Sequence, residues 1–241
     1  MLILTSSPCV VGCPDMNPAN GLTALVREAL PGRCRALFVC SSPDTPELTD
    51  AFASDMRRCF ASAGIVFTEY AVLDDRTADR AELYISRSDL IILAGGHVPT
   101  QLAFFHRIGL REKLRSCPGL IFGISAGSMN SADTVYIQPE LPGEAADPAF
   151  ARFGTGLGLT QAMIWPHFQE SRHAVLDGLR LLEDITLPDS RGRTFYALPD
   201  GSYLLSRDGR TELRGEAWQI RDGTIRQISA DGESLPLPTA P

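Results

Sequence analysis

The chain has 241 residues, 44% hydrophobic and 21% charged, a globular composition at a length that suits one large α/β domain or two small ones. Twenty-nine acids against 22 Lys and Arg give a net charge of −7, which argues against a general phosphate-backbone binder, so nucleic acid is not an expected partner. No apolar stretch approaches the ~20 residues needed to span a bilayer, so no membrane partner is expected either.

Met1-Leu2-Ile3-Leu4-Thr5 lacks the positive region, long apolar run and cleavage site of a signal peptide. Together with the irregular spacing of Cys9, Cys13, Cys34, Cys40, Cys59 and Cys117, this predicts reduced thiols in a cytoplasmic protein. Cys9 and Cys13 could be half of a metal site, but no second Cys/His pair at ligand spacing follows, and no metal is expected. Ala36-Leu37-Phe38-Val39-Cys40 is a continuous apolar run of the kind buried on both faces of a parallel sheet. Thr49 to Ala63 reads as a helix, with Phe52, Met56, Cys59 and Phe60 at three- and four-residue steps and Gly64 as its stop. Ile65 to Tyr70 is strand-like, Thr77 to Arg87 a helix, Leu90 to Leu93 a buried strand, and a helix follows Pro99. Gly119 to Phe122 is the next strand. Repeated alternation of strand and helix predicts a doubly wound α/β domain with helices on both faces of a mostly parallel sheet, a three-layer arrangement.

After about residue 190 the runs shorten, and Pro199-Asp200-Gly201, Asp208-Gly209 and Asp222-Gly223 read as hairpin turns. They predict a C-terminal antiparallel meander over 190–234, packed on the same single domain (1–241), with turns that need no functional explanation. Residues 235–241, rich in proline, are expected to fray.

Ligands of open α/β sheets sit at the carboxyl ends of the strands, and two loops there stand out. Ala94-Gly95-Gly96-His97 follows one strand, and Gly123-Ile124-Ser125-Ala126-Gly127 follows another and precedes a helix. The second has the G-x-S-x-G pattern of a nucleophile elbow in its strand–turn–helix context: a tight turn lifts the Ser125 hydroxyl clear, and small neighbours let a substrate approach. The bland alternative is a plain connection with Ser125 as an N-cap. A serine nucleophile needs a base, and there are four histidines. His106 and His173 fall in helical stretches. His97 follows the glycine pair, a plausible substrate or oxyanion-loop position, and His167 follows the run Met163-Ile164-Trp165 and Pro166, which places it past a strand at the same sheet edge as Ser125.

Taken in order, Gly95-Gly96-His97, Gly123 to Ser128 and Trp165-Pro166-His167-Phe168 resemble the peptidase E (aspartyl dipeptidase) family of serine peptidases, over roughly residues 35 to 185. The resemblance implies a class I glutamine amidotransferase-like fold, Ser125 as nucleophile, His167 as base, and an oxyanion hole from the N–H groups of Gly96 and Ala126. It places the third catalytic residue at Glu140, with Asp133 and Glu144 as competitors. It implies hydrolysis of short peptides, most simply as an N-terminal dipeptidase, with no metal or organic cofactor. Family members often carry asparagine where His97 stands, which puts strict aspartyl specificity in doubt. A cation for a substrate carboxylate is expected at Arg172, ahead of Arg107 and Arg152. Gln101 and Tyr136 are candidate pocket residues. A cyanophycin-like or γ-linked amide substrate, or a non-catalytic binding protein on the same fold, are the alternatives. Dimers are common among such folds, which makes a homodimer the assembly to test.

Overall fold

Short, mainly apolar runs form the centre of the molecule. In the computed structural model, which describes residues 1–115 and 117–238, five of them align as parallel strands. They are β1 (Leu2–Thr5), β2 (Arg33–Val39), β3 (Val66–Leu73), β4 (Leu90–Leu93) and β5 (Leu120–Ile124), in the spatial order β1-β5-β4-β2-β3. All four residues of β4 are fully buried, so both faces of the sheet are covered. At roughly 1.5–3 kcal/mol for each large apolar side chain taken from water, this layer dominates the stabilisation. The connections are α1 (Leu22–Ala29), α2 (Pro46–Ser62), α3 (Ala81–Arg87), α4 (Val98–Arg107) and α5 (Leu110–Leu114). Helix α2 starts with Pro46 at its first turn and buries Met56, Cys59 and Phe60 of the expected stripe together with Ala53, while Phe52 is half-buried. After β5 comes the short α6 (Ala126–Asn130).

The second half is built differently. β6 (Thr134–Tyr136) pairs with β7 (Phe153–Thr155), and then come β8 (Met163–Trp165) and α7 (Phe168–Ser171). The hairpin β9 (Val175–Leu176) and β10 (Leu179–Arg180) leads through a π-helical turn to α8 (Leu187–Asp189). The remaining strands are β11 (Thr194–Ala197), β12 (Tyr203–Arg207), β13 (Arg210–Arg214), β14 (Ala217–Arg221), β15 (Thr224–Ser229) and β16 (Ser234–Pro236).

These C-terminal strands do not form the single meander expected over 190–234. β12, β13 and β16 extend the central sheet through successive antiparallel pairings that begin with β12 against β1, whereas β11, β14 and β15 join β8 in a separate four-stranded sheet. Asp208-Gly209 and Asp222-Gly223 are hairpin turns, with positive φ at both residues of each pair. Pro199-Asp200-Gly201 is not: it carries the chain from β11 in one sheet to β12 in the other. Leu235 and Pro236, expected to fray, pair with Leu213 and Glu212, and the part of the expected frayed tail from Thr239 onward lies outside the described residues. β1, not anticipated as a strand, holds the middle of the eight-stranded sheet because Ile3 and Leu4 are fully buried there. The four-stranded sheet has its own aromatic core, in which Tyr136 stacks on Phe195 at 4.2 Å between ring centroids and Trp165 meets Phe168 edge-on at 5.3 Å.

Candidate active site

Two pairs of parallel strands end side by side. In the central sheet, Thr5 of β1 is in register with Ile124 of β5, so the next residues, Ser6 and Ser125, emerge together. In the other sheet, Trp165 of β8 is in register with Ala197 of β11, so His167 and Asp200 emerge together. The main-chain bonds Leu198 N–H to Trp165 O (2.9 Å) and Phe168 N–H to Leu198 O (3.2 Å) carry that register into the loops. His167 therefore sits past a strand as expected, but of the second sheet, and not at the sheet edge that holds Ser125.

Four side chains join the two pairs. His167 Nε2 lies 2.9 Å from Ser125 Oγ, and its Nδ1 lies 2.8 Å from Asp200 Oδ1. Ser6 Oγ donates to the same Asp200 oxygen at 2.6 Å and accepts the His167 backbone N–H at 2.7 Å. Gln169 Oε1 accepts the Asp200 N–H at 3.0 Å. An ionised carboxylate only accepts, so Nδ1 carries the ring proton and Nε2 is left to accept from the Ser125 hydroxyl. Burial alone would disfavour both charges. The hydrogen bond and charge of Asp200, helped by Glu170 and Glu140, outweigh it and hold the imidazole above its ordinary value. Asp200 is likewise desolvated, yet its bonds to His167, Ser6 and Gln169 keep it below the usual carboxylate range.

The backbone at both Ser125 and His167 is left-handed. Ser125 has φ 47° and ψ −109°, and His167 has φ 53° and ψ 37°, conformations that cost on the order of 1–3 kcal/mol each in a non-glycine residue. At Ser125 the surroundings enforce the turn. Its N–H is tied to Thr5 O at 3.0 Å, and Gly127 lets α6 close over β4, since a Cβ there would lie 2.3 Å from Leu93 O. Across from the elbow, Gly96 has φ 144° and lies against Ser41, where a Cβ would come within 2.4 Å of Oγ. The Gly96 and Ala126 N–H groups donate to no acceptor found among the described residues.

Ser125 and His167 open into a cleft of about 540 Å³ whose walls include Gly96, Met129, Trp165, Leu176 and Leu181. That size suits a small ligand. A groove of about 600 Å³ beside α1 is larger, but Arg207 and Arg214 there are already paired with Glu28 and Glu212, and no serine–histidine pair faces it.

Of the residues expected near the site, several are occupied elsewhere. Glu140, expected opposite His167 Nδ1, lines the cleft instead, and Asp200 holds the ring nitrogen. The reason is register: β11 runs beside β8, whereas Glu140 comes from the loop after β6. Asp133 is bound to Arg111 at 2.6 Å. Glu144 accepts from the Glu140 and Leu141 N–H groups and lies 2.8 Å from His97 Nε2. His97, expected to contact substrate, is thus held between Glu144 and Thr100 and does not line the cleft. Arg172, expected to face a substrate carboxylate, stacks its guanidinium 5.2 Å from the ring centroids of both Phe168 and Trp218, outside the cleft lining. Arg107 pairs with Asp75, and Arg152 lies over Phe150. Gln101 is fully buried and ties Ala94 O to Asn130, and the Tyr136 hydroxyl reaches Thr186 and Asp189 in the aromatic core. Asp200 and Ser6 were not anticipated; the one available signal was an acid in a loop following a strand-like run, and it reads as a turn. Among the described residues, no group of three His, Cys, Asp or Glu side chains is placed to hold a metal ion, and no helix is long and apolar enough to cross a membrane.

A family model described as peptidase family S51 matches residues 2–214. No curated protein sequence matches the chain. Among solved structures, a peptidase from an acI-B1 actinobacterium superposes with a TM-score of 0.65 at 17% identity, over 98% of this chain and 96% of that one. A candidate peptidase E protein from Listeria monocytogenes EGD-e gives 0.55 at 16% identity, over 94% and 96%. At such identities these two likenesses speak for the fold alone.

Proposed function

Because the chain belongs to peptidase family S51, the peptidase E family, we propose that it is a serine peptidase that hydrolyses short peptides, most simply as an N-terminal dipeptidase. The observation that carries this reading is the unbroken chain Ser125 Oγ, His167, Asp200, with contacts of 2.9 and 2.8 Å. In this mechanism Ser125 Oγ attacks the peptide carbonyl while His167 Nε2 takes its proton. The Gly96 and Ala126 N–H groups hold the oxyanion, each contributing roughly 3–4 kcal/mol to the transition state. His167 then gives the proton to the leaving amine, so the C–N bond breaks and an acyl-serine remains. Water, deprotonated by the same nitrogen, releases the acid and restores Ser125. Asp200 stays ionised throughout and stabilises the imidazolium, while Ser6 fixes both partners.

The parallel order of β1 to β5 and the strained turn at Ser125 support a class I glutamine amidotransferase-like fold with serine at the elbow. Six cysteines without a disulfide fit a reducing, cytoplasmic setting. The test is hydrolysis of Asp-X, Glu-X, Ala-X and Leu-X dipeptides with Ser125→Ala beside the native protein. Cleavage that vanishes in the variant is the expected result; cleavage that survives it would overturn the assignment.

A further inference from the structure

The cleft contains one charged side chain outside the Ser125–His167–Asp200 chain, and it is acidic. Glu140 lines the cleft together with Ser125 and His167, and no Lys or Arg does so. The other acid of this loop, Glu144, is consumed by two backbone N–H groups and His97, whereas Glu140 has no cationic side chain within ion-pair distance among the described residues. The cation that would suit a substrate carboxylate is absent too, because Arg172 is stacked on Phe168 and Trp218.

We propose that Glu140 is the anionic subsite of the cleft and binds a positively charged group of the substrate, either the free α-ammonium or a basic side chain. This rests on the peptidase reading above and deepens it. The remaining walls are largely apolar, with Met129, Trp165, Val175, Leu176 and Leu181 among them, so an ammonium or guanidinium entering the cleft finds its one strong partner at Glu140. Desolvation, and then the charge of Glu144, push the Glu140 carboxyl up to about 7, against the opposing pull of His167 and the Val98 N–H. Glu140 keeps solvent access at the cleft, so a cation can reach it, and a bound cation draws the carboxyl to its ionised form.

Binding tests the subsite independently of turnover. Titration calorimetry on Ser125→Ala protein compares leucinamide with N-acetyl-leucinamide, which reports the α-ammonium, and N-acetyl-lysinamide with N-acetyl-norleucinamide, which reports a basic side chain. At least one cationic member should bind about tenfold tighter or more than its neutral partner, the fold-change of a single charge-assisted hydrogen bond. Adding Glu140→Gln should abolish that preference, and Glu140→Lys should reverse it. The pair that responds identifies the source of the charge. Equal affinity within both pairs, or a preference that survives Glu140→Gln, overturns the subsite. Failure of the peptidase reading would show differently, as native protein that cleaves no peptide while this binding pattern holds.

Discussion

The β1–β5 pair and the β8–β11 pair deliver the two halves of one site, but they are encoded in opposite ways. Ser125 is produced locally: within five residues, Gly123 to Gly127 form the strand end, the strained turn and the helix start. His167 and Asp200 are produced by topology, from loops 33 residues apart in sequence that meet because β8 and β11 are parallel neighbours. Ser6 joins the two, and it too arrives through register, beside Ser125. A local device can be altered at one position with a large and readable effect. A topological one depends on pieces whose individual losses are smaller.

The largest effect is expected at the local half. Ser125→Ala should lower kcat by about 10⁶, the scale seen when a serine nucleophile is removed, as measured by peptide hydrolysis. On the topological half, Asp200→Asn should cost about 10⁴ in kcat, because the amide offers Nδ1 a donor as readily as an acceptor and frees the wrong tautomer. A comparable loss from Asp133→Asn would contradict the account, since Asp133 is spent on Arg111. Gly127→Ala tests the elbow's packing. Its Cβ would press on the Leu93 carbonyl, and a destabilisation of roughly 1–3 kcal/mol or more should appear as a lower denaturation midpoint. Ser6→Ala removes a donor to Asp200 and an acceptor for the His167 N–H, and should lower kcat/KM by about 10- to 100-fold with little change in fold.

The smallest effect is a shift in pH dependence. In the proposed mechanism catalysis needs neutral His167, and Asp200 holds its folded value above the ordinary one, so the acid limb of kcat/KM should have its midpoint above about 6.5. The same shift has a stability sign. A raised histidine favours the folded state fully below its unfolded value, and that contribution is lost as pH rises through the folded one. Asp200→Asn should move the acid limb down.

How far the sequence reveals these halves follows from the same distinction. The alternation through residues 36–122 gives the parallel sheet and its helices, and G-x-S-x-G gives Ser125, because both signals are contained in short windows. His167 is legible as a histidine past a short apolar run, although its sheet is not. Asp200 is illegible because Pro-Asp-Gly has the composition of a tight turn, and nothing within the segment tells a hairpin from a crossing between sheets. Glu140 is the opposite case: the family resemblance points to it as the third catalytic residue, and the structure places it in the same cleft with no ion-pair partner among the described residues. β1 is missed because four residues at a chain start carry too little pattern, although its position decides where Ser6 lies.

The central claim, that Ser125, His167 and Asp200 act as one unit, is tested most directly by the rate of labelling with a small uncharged fluorophosphonate, followed by peptide mapping. The account predicts a single label on Ser125, its formation slowed far more by Asp200→Asn than by Glu140→Gln. Labelling that is absent from Ser125, or that depends on Glu140 and not on Asp200, would contradict it.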